Sequence, residues 1–172
     1  MERIKKKICL VGAFAVGKTS LVQQYVHSFF SDKYHTSIGV KIEKKSLTLP
    51  QHEIDLIIWD LHGQDDFQTV RMSYLRGAAG CLYVVDGTRR ATLDVALDLR
   101  ARAEQTIGRI PCILIMNKED LRSQWELDAE AEPRLVTQGL TVMRTSAKTG
   151  YSVEKAFHAL TALMLEEHRI DG

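Results

Sequence analysis

The chain is short of cysteine, has almost no net charge and carries no long apolar run. Its three cysteines, Cys9, Cys81 and Cys112, are odd in number and far apart, each inside an apolar stretch. That pattern points to buried thiols in a reducing compartment; a metal site would need closer spacing, with histidine or cysteine neighbours. The formal net charge of +1 gives no basis for bulk attraction to nucleic acid or to a membrane. No apolar stretch approaches the length of a membrane helix, and the N-terminus lacks the apolar centre of a secretory signal. Lys5-Lys6-Lys7 is too small a patch for a membrane surface and reads as the solvated start of a strand whose core opens at Ile8. The last residues, His168-Arg169-Ile170-Asp171-Gly172, include no cysteine for prenylation. Repeats, low-complexity tracts and linkers are also missing. What remains is 172 residues, 45% hydrophobic and 26% charged, enough to bury a core. The expectation is one cytoplasmic, monomeric domain over residues 1–172, with no membrane anchor and no nucleic-acid partner.

Two signals alternate along the chain. Short apolar runs at Ile8–Val11, Ile54–Trp59, Cys81–Val85 and Cys112–Met116, with a weaker one at Leu140–Met143, suit strands buried on both faces of a parallel sheet. Helical patterns lie between them, over Thr92–Ile107 and from Ser152 to about Glu167. The latter carries an apolar stripe of Val153, Ala156, Phe157, Leu160, Leu163 and Met164. Val40–Leu49 alternates apolar and polar residues and reads as an edge strand forming a hairpin with Glu53–Asp60; its lysines suit an exposed edge. Pro133 should shorten or kink a helix over Asp128–Gln138. The fold class expected is α/β in three layers, with a mostly parallel six-stranded sheet, one antiparallel edge strand and helices on both faces.

Gly12-Ala13-Phe14-Ala15-Val16-Gly17-Lys18-Thr19 matches G-x-x-x-x-G-K-[ST] between a strand and a helix beginning near Lys18. In that setting loop and helix N–H groups present unsatisfied donors to phosphate. Gly12, Phe14, Ala15, Val16, Gly17, Lys18, Thr19 and Ser20 form the candidate phosphate-binding set. Lys18 would meet the β- and γ-phosphates, and the Thr19 hydroxyl would ligate Mg²⁺.

Asn117-Lys118-Glu119-Asp120 follows a strand at the carboxyl edge, where open α/β sheets place ligands. The Asp120 carboxylate can accept from the N1–H and amine of guanine. Adenine would leave that charge unpaired, which disfavours an ATPase or small-molecule kinase. Trp59-Asp60-Leu61-His62-Gly63-Gln64 closes another strand. Asp60 can hold Mg²⁺ through water, Gly63 N–H can approach the γ-phosphate, and Gln64 can orient an attacking water as the candidate catalytic residue. In Thr145-Ser146-Ala147-Lys148 the Ala147 backbone can meet the guanine oxygen and the Lys148 stem can cover the base. Asn117, Lys118, Asp120, Ser146, Ala147 and Lys148 complete the candidate base site.

Together these motifs resemble the Ras superfamily of small GTPases, its Rab branch most closely, over nearly the whole chain. Tyr34-His35-Thr36-Ser37-Ile38-Gly39-Val40 resembles the Rab switch I pattern, and Tyr74-Leu75-Arg76-Gly77-Ala78 the segment after switch II. The resemblance implies a switch that binds GTP or GDP with Mg²⁺, Phe30 stacking at its edge on guanine, and Ser37 joining Thr19 and Asp60 at the metal. It also implies effectors and regulators at the switches and at Ile42, Trp59 and Tyr74. The plainer reading of Trp59 is packing under the hairpin, and Trp125 reads as a local packing anchor.

This chain departs from the family pattern at several points. Ser37 replaces a threonine, with Thr36 as a neighbouring rival, and Leu61-His62 replaces Thr-Ala before the glycine. His62 either approaches the γ-phosphate or faces solvent. The lack of a lipidated cysteine fits either the unlipidated Rab-like proteins of prokaryotes or removal of a tail. Phe14 stands where the family carries glycine or another small residue, beside the volume needed by the attacking water, so hydrolysis is expected to be slow. A guanine-nucleotide interaction module with negligible hydrolysis is the alternative.

Overall fold

The computed structural model describes residues 2–30, 40–62 and 70–171. Its six strands are β1 (Glu2–Gly12), β2 (Val40–Thr48), β3 (His52–Leu61), β4 (Ala78–Asp86), β5 (Cys112–Asn117) and β6 (Val142–Arg144). They form one sheet in the order β2-β3-β1-β4-β5-β6. Only β2 runs antiparallel, paired from Val40↔Leu61 to Thr48↔Glu53. Every other adjacent pair is parallel. The helices are α1 (Lys18–His27), α2 (Ala91–Ile107), α3 (Ala131–Thr137) and α4 (Val153–Asp171). None of the described helices is long and apolar enough to cross a membrane.

The apolar runs are continuous because the inner strands are covered on both faces. On one face Ile8, Leu10, Ile54, Ile58, Leu82 and Ile113 meet α1 and α4 through Leu21, Val22, Phe157 and Leu160. On the other, Cys9, Val11, Cys81, Tyr83 and Leu114 meet α2 and α3 through Ala96, Leu99, Ala103 and Leu135. Alternation along each strand sends neighbours to opposite cores. Phe157, fully buried, stacks on Tyr25 with ring centroids 4.1 Å apart. Truncating it to alanine would cost about 3–5 kcal/mol.

The strands extend beyond their apolar runs. β1 begins at Glu2, so Lys5–Lys7 lies within it, and Lys7 donates to the Arg76 carbonyl at 2.8 Å with its ammonium 3.5 Å above the Trp59 ring. Asp55 in β3 is buried among Arg3, Lys44 and Ser46; the Ser46 and Arg3 hydrogen bonds hold its carboxyl down at about 2. Of the two outcomes expected for Pro133, shortening is the one found: α3 runs only from Ala131 to Thr137, and Pro133 lies in its first turn. A first-turn N–H has no intrahelical acceptor to lose. Cys9 and Cys81 are buried and Cys112 partly so, all three free; burial pushes the Cys9 thiol up to about 12 and raises Cys81 as well.

Candidate functional site

Because β1, β3, β4 and β5 are parallel, their carboxyl ends deliver Gly12, Asp60, Asp86 and Asn117 to one edge of the sheet. There β1 turns through the loop 12–17 into α1. Gly12 is required by close packing, since a Cβ would lie 2.5 Å from the Val84 carbonyl oxygen. Gly17, at φ 104, is required twice over: by its left-handed backbone and by Asn117, whose Nδ2 would be 2.3 Å from a Cβ. Ala15 adopts φ 61 without being glycine, a strained conformation that its surroundings must hold.

Side chains hold the loop at successive carbonyls. Lys18, only 6% exposed, folds back to donate to Ala13 O at 3.0 Å and Gly12 O at 3.4 Å. Burial depresses its pKa to about 8, opposed by Asp60 and reinforced by Arg89. Arg89 Nη2 donates to Phe14 O at 2.8 Å, Lys118 Nζ to Ala15 O at 3.3 Å, and Asn117 Nδ2 to Val16 O at 3.0 Å. Phe14 is half-buried, Ala15 is exposed, and Ser20 lies partly buried in the first turn of α1.

Asn117 also joins this loop to the second one. Its Oδ1 accepts from Thr145 Oγ1 at 3.0 Å and from Ala147 N at 3.2 Å. Ser146 Oγ donates to Asp120 Oδ1 at 2.7 Å, which orients a carboxylate otherwise open to solvent. Lys148 is exposed, and Phe30 is partly buried against the core shared with α1. The base-site residues of the two motifs are thus brought together. Trp125 is the packing anchor expected of it: its Nε1 donates to the Lys118 carbonyl, and its ring lies where a Cβ on Gly87 would stand at 2.1 Å.

At the other end of the loop, Thr19 Oγ1 donates to Asp60 Oδ2 at 2.6 Å. Asp60 is 1% exposed, and its Oδ1 is buried with no hydrogen-bond partner among the described residues. Burial raises its pKa, with Thr19 and Lys18 opposing. A buried carboxylate oxygen beside a hydroxyl oxygen is the hard-oxygen donor set that suits Mg²⁺, so these residues fit the ion. His62 follows, partly buried; burial lowers its pKa, while Asp60 raises it and Lys18 lowers it further. Ser37, with its rival Thr36, and Gly63 and Gln64 lie outside the described residues.

Trp59 is half-buried, with Tyr74 at 6.1 Å between ring centroids and Ile42, 50% exposed, opposite it on β2. The three do adjoin, and Trp59 also packs under Lys7, so neither sequence reading of it displaces the other.

The sequence reading missed the cluster after β4. Asp86, 1% exposed, accepts from Thr88 N and Oγ1, from Arg89 Nε at 3.0 Å and from Lys118 Nζ at 2.7 Å. Burial alone would raise its pKa, but hydrogen bonds from Lys118, Thr88 and Arg89 hold it below the ordinary carboxylate range. The available signal was an aspartate ending a buried strand, the same placement that marked Asp60. A model of the Ras family matches residues 7–166, a span that takes in all four motifs, and the chain belongs to that family of GTP-binding small GTPases.

Proposed function

We infer that this chain is a guanine-nucleotide switch that binds GTP and GDP with Mg²⁺, hydrolyses GTP slowly and presents its switches to protein partners. The observation that carries the reading is the double role of Asn117, whose amide nitrogen holds the phosphate loop while its oxygen holds the Thr145–Ala147 loop. One rigid group therefore sets the distance between phosphate and base recognition, and a nucleotide spanning both meets preformed donors.

In this reading Lys18 neutralises the β- and γ-phosphates, and Asp120, aligned by Ser146, accepts from guanine against the exposed stem of Lys148 and the edge of Phe30. Thr19, Asp60 and Ser37 would hold Mg²⁺, which when bound supplies charge neutralisation across the phosphates. Gly63 N–H and Gln64 would serve the γ-phosphate and the attacking water. Ile42, Trp59 and Tyr74 form a Rab-like surface for effectors in the cytoplasm, with the chain acting as a monomer. An interaction module with negligible hydrolysis is the second reading, favoured by the bulky Phe14 in a loop fixed at each carbonyl from Gly12 to Val16.

Single-turnover hydrolysis of GTP, with the bound nucleotide identified after gentle extraction, tests the reading. Guanine nucleotide with slow conversion supports the switch, and guanine nucleotide without conversion supports the module. Retention of adenine nucleotide, or of none, overturns both.

A further inference from the structure

Arg89 belongs to none of the four nucleotide motifs, yet its guanidinium reaches the phosphate loop. Nε is fixed by the buried Asp86 at 3.0 Å, and Nη2 donates to Phe14 O at 2.8 Å. The same Asp86 binds Lys118, which donates to the next carbonyl, Ala15 O. Asn117 takes the one after, Val16 O. Three consecutive carbonyls are thus held by three side chains from the ends of β4 and β5.

A planar trans peptide points its C=O and N–H in opposite directions. Holding the Phe14, Ala15 and Val16 carbonyls therefore turns the Ala15, Val16 and Gly17 N–H groups each away from the side chain that holds its peptide. Ala15 lies between the two Asp86-linked cations and has the strained φ of 61. Its backbone is held at both flanking peptides, by Arg89 before it and Lys118 after it. Arg89 is the one long cation in the sequence Asp86-Gly87-Thr88-Arg89 able to serve both a carboxylate and a carbonyl, because its fork presents separate donors in fixed directions.

We propose that Arg89 is a positioning residue for phosphate binding, aiming the Ala15 N–H at the nucleotide and, through Asp86, coupling the phosphate loop to Lys118 of the base site. The proposal rests on the nucleotide-binding reading above. It assigns Arg89 no contact with the nucleotide; the residue acts through the backbone it holds.

The test is the rate of GDP release at fixed Mg²⁺, followed with a fluorescent GDP analogue. Arg89→Ala is expected to speed release about tenfold, the size of one lost charge-assisted hydrogen bond. Arg89→Lys keeps the charge but serves one partner at a time, so it should fall between wild type and Arg89→Ala. Adding Lys118→Ala to Arg89→Ala should speed release by less than the product of the single effects, because both act on Ala15 through Asp86. A wild-type rate for Arg89→Ala, an Arg89→Lys rate no slower than that of Arg89→Ala, or a fully multiplicative double variant would overturn this inference and leave the proposed function standing. A wild-type protein that retained no GDP would overturn both.

Discussion

Thr19 donates its hydroxyl proton to Asp60 Oδ2 at 2.6 Å and leaves Asp60 Oδ1 buried and without a partner among the described residues. A buried acceptor without a donor is costly, and here it adjoins a hydroxyl oxygen able to face a cation. Chelation of Mg²⁺ with EDTA is therefore expected to speed GDP release from wild type by about tenfold or more, the scale of one charge-assisted interaction. Asp60→Ala should release GDP quickly with or without EDTA. Release from wild type that ignored EDTA would remove the ion from the site.

Asp120 owes its orientation to Ser146, so base selectivity should respond to both. Asp120→Asn should weaken GTP by about 2–3 kcal/mol, the cost of losing a charge-assisted pair, and improve xanthosine triphosphate, whose 2-oxo group suits an amide donor. Ser146→Ala should weaken GTP less and gain nothing for the xanthine. Competition among GTP, ATP and XTP reads both effects, and equal binding of ATP and GTP by wild type would defeat the assignment of Asp120.

Phe14 places a benzyl group in a loop whose backbone is held at every carbonyl from Gly12 to Val16, leaving the side chain alone to make room. Phe14→Gly should raise single-turnover hydrolysis, by up to about a hundredfold if the water is displaced by an ångström in wild type. The gain should vanish when Gln64→Leu is added. Equal rates for wild type and Phe14→Gly would show that the ring swings clear.

Lys18 supplies a pH test. Its pKa in the nucleotide-free fold is about 8, against 10.5 ordinarily, with burial the main cause. Phosphate favours the protonated form, so the bound-state pKa lies higher and binding takes up a proton above pH 8. GDP affinity should be level from pH 6.5 to about 7.5, then fall by up to about tenfold per pH unit above 8. Lys18→Met should be weak and free of this slope. A wild-type affinity unchanged to pH 9.5 would contradict the burial of the ammonium.

The alternation of apolar runs and helical stripes was enough to read the six-strand sheet and its antiparallel edge, because burial on two faces leaves a periodic record in the chain. Local spacing likewise singled out Gly12–Thr19, Asp60, Asn117–Asp120 and Thr145–Lys148, segments that the fold brings together. Strand limits were less legible. Lys5–Lys7 was legible as the start of a strand, but β1 begins earlier, at Glu2, because ladder hydrogen bonding to β3 runs from there without needing an apolar pattern. Pro133 likewise depended on which turn of α3 it would occupy.

By itself the sequence determined the sheet, the nucleotide motifs and their order, all of which follow from side-chain periodicity and from chemistry between near neighbours. Only the tertiary structure decided which residues share a carbonyl or a carboxylate across long separations. Arg89 meets Phe14 across 75 positions, and Asn117 meets Val16 across 101. Neither contact leaves a local pattern, because parallel strands bring their carboxyl ends together however much chain separates them.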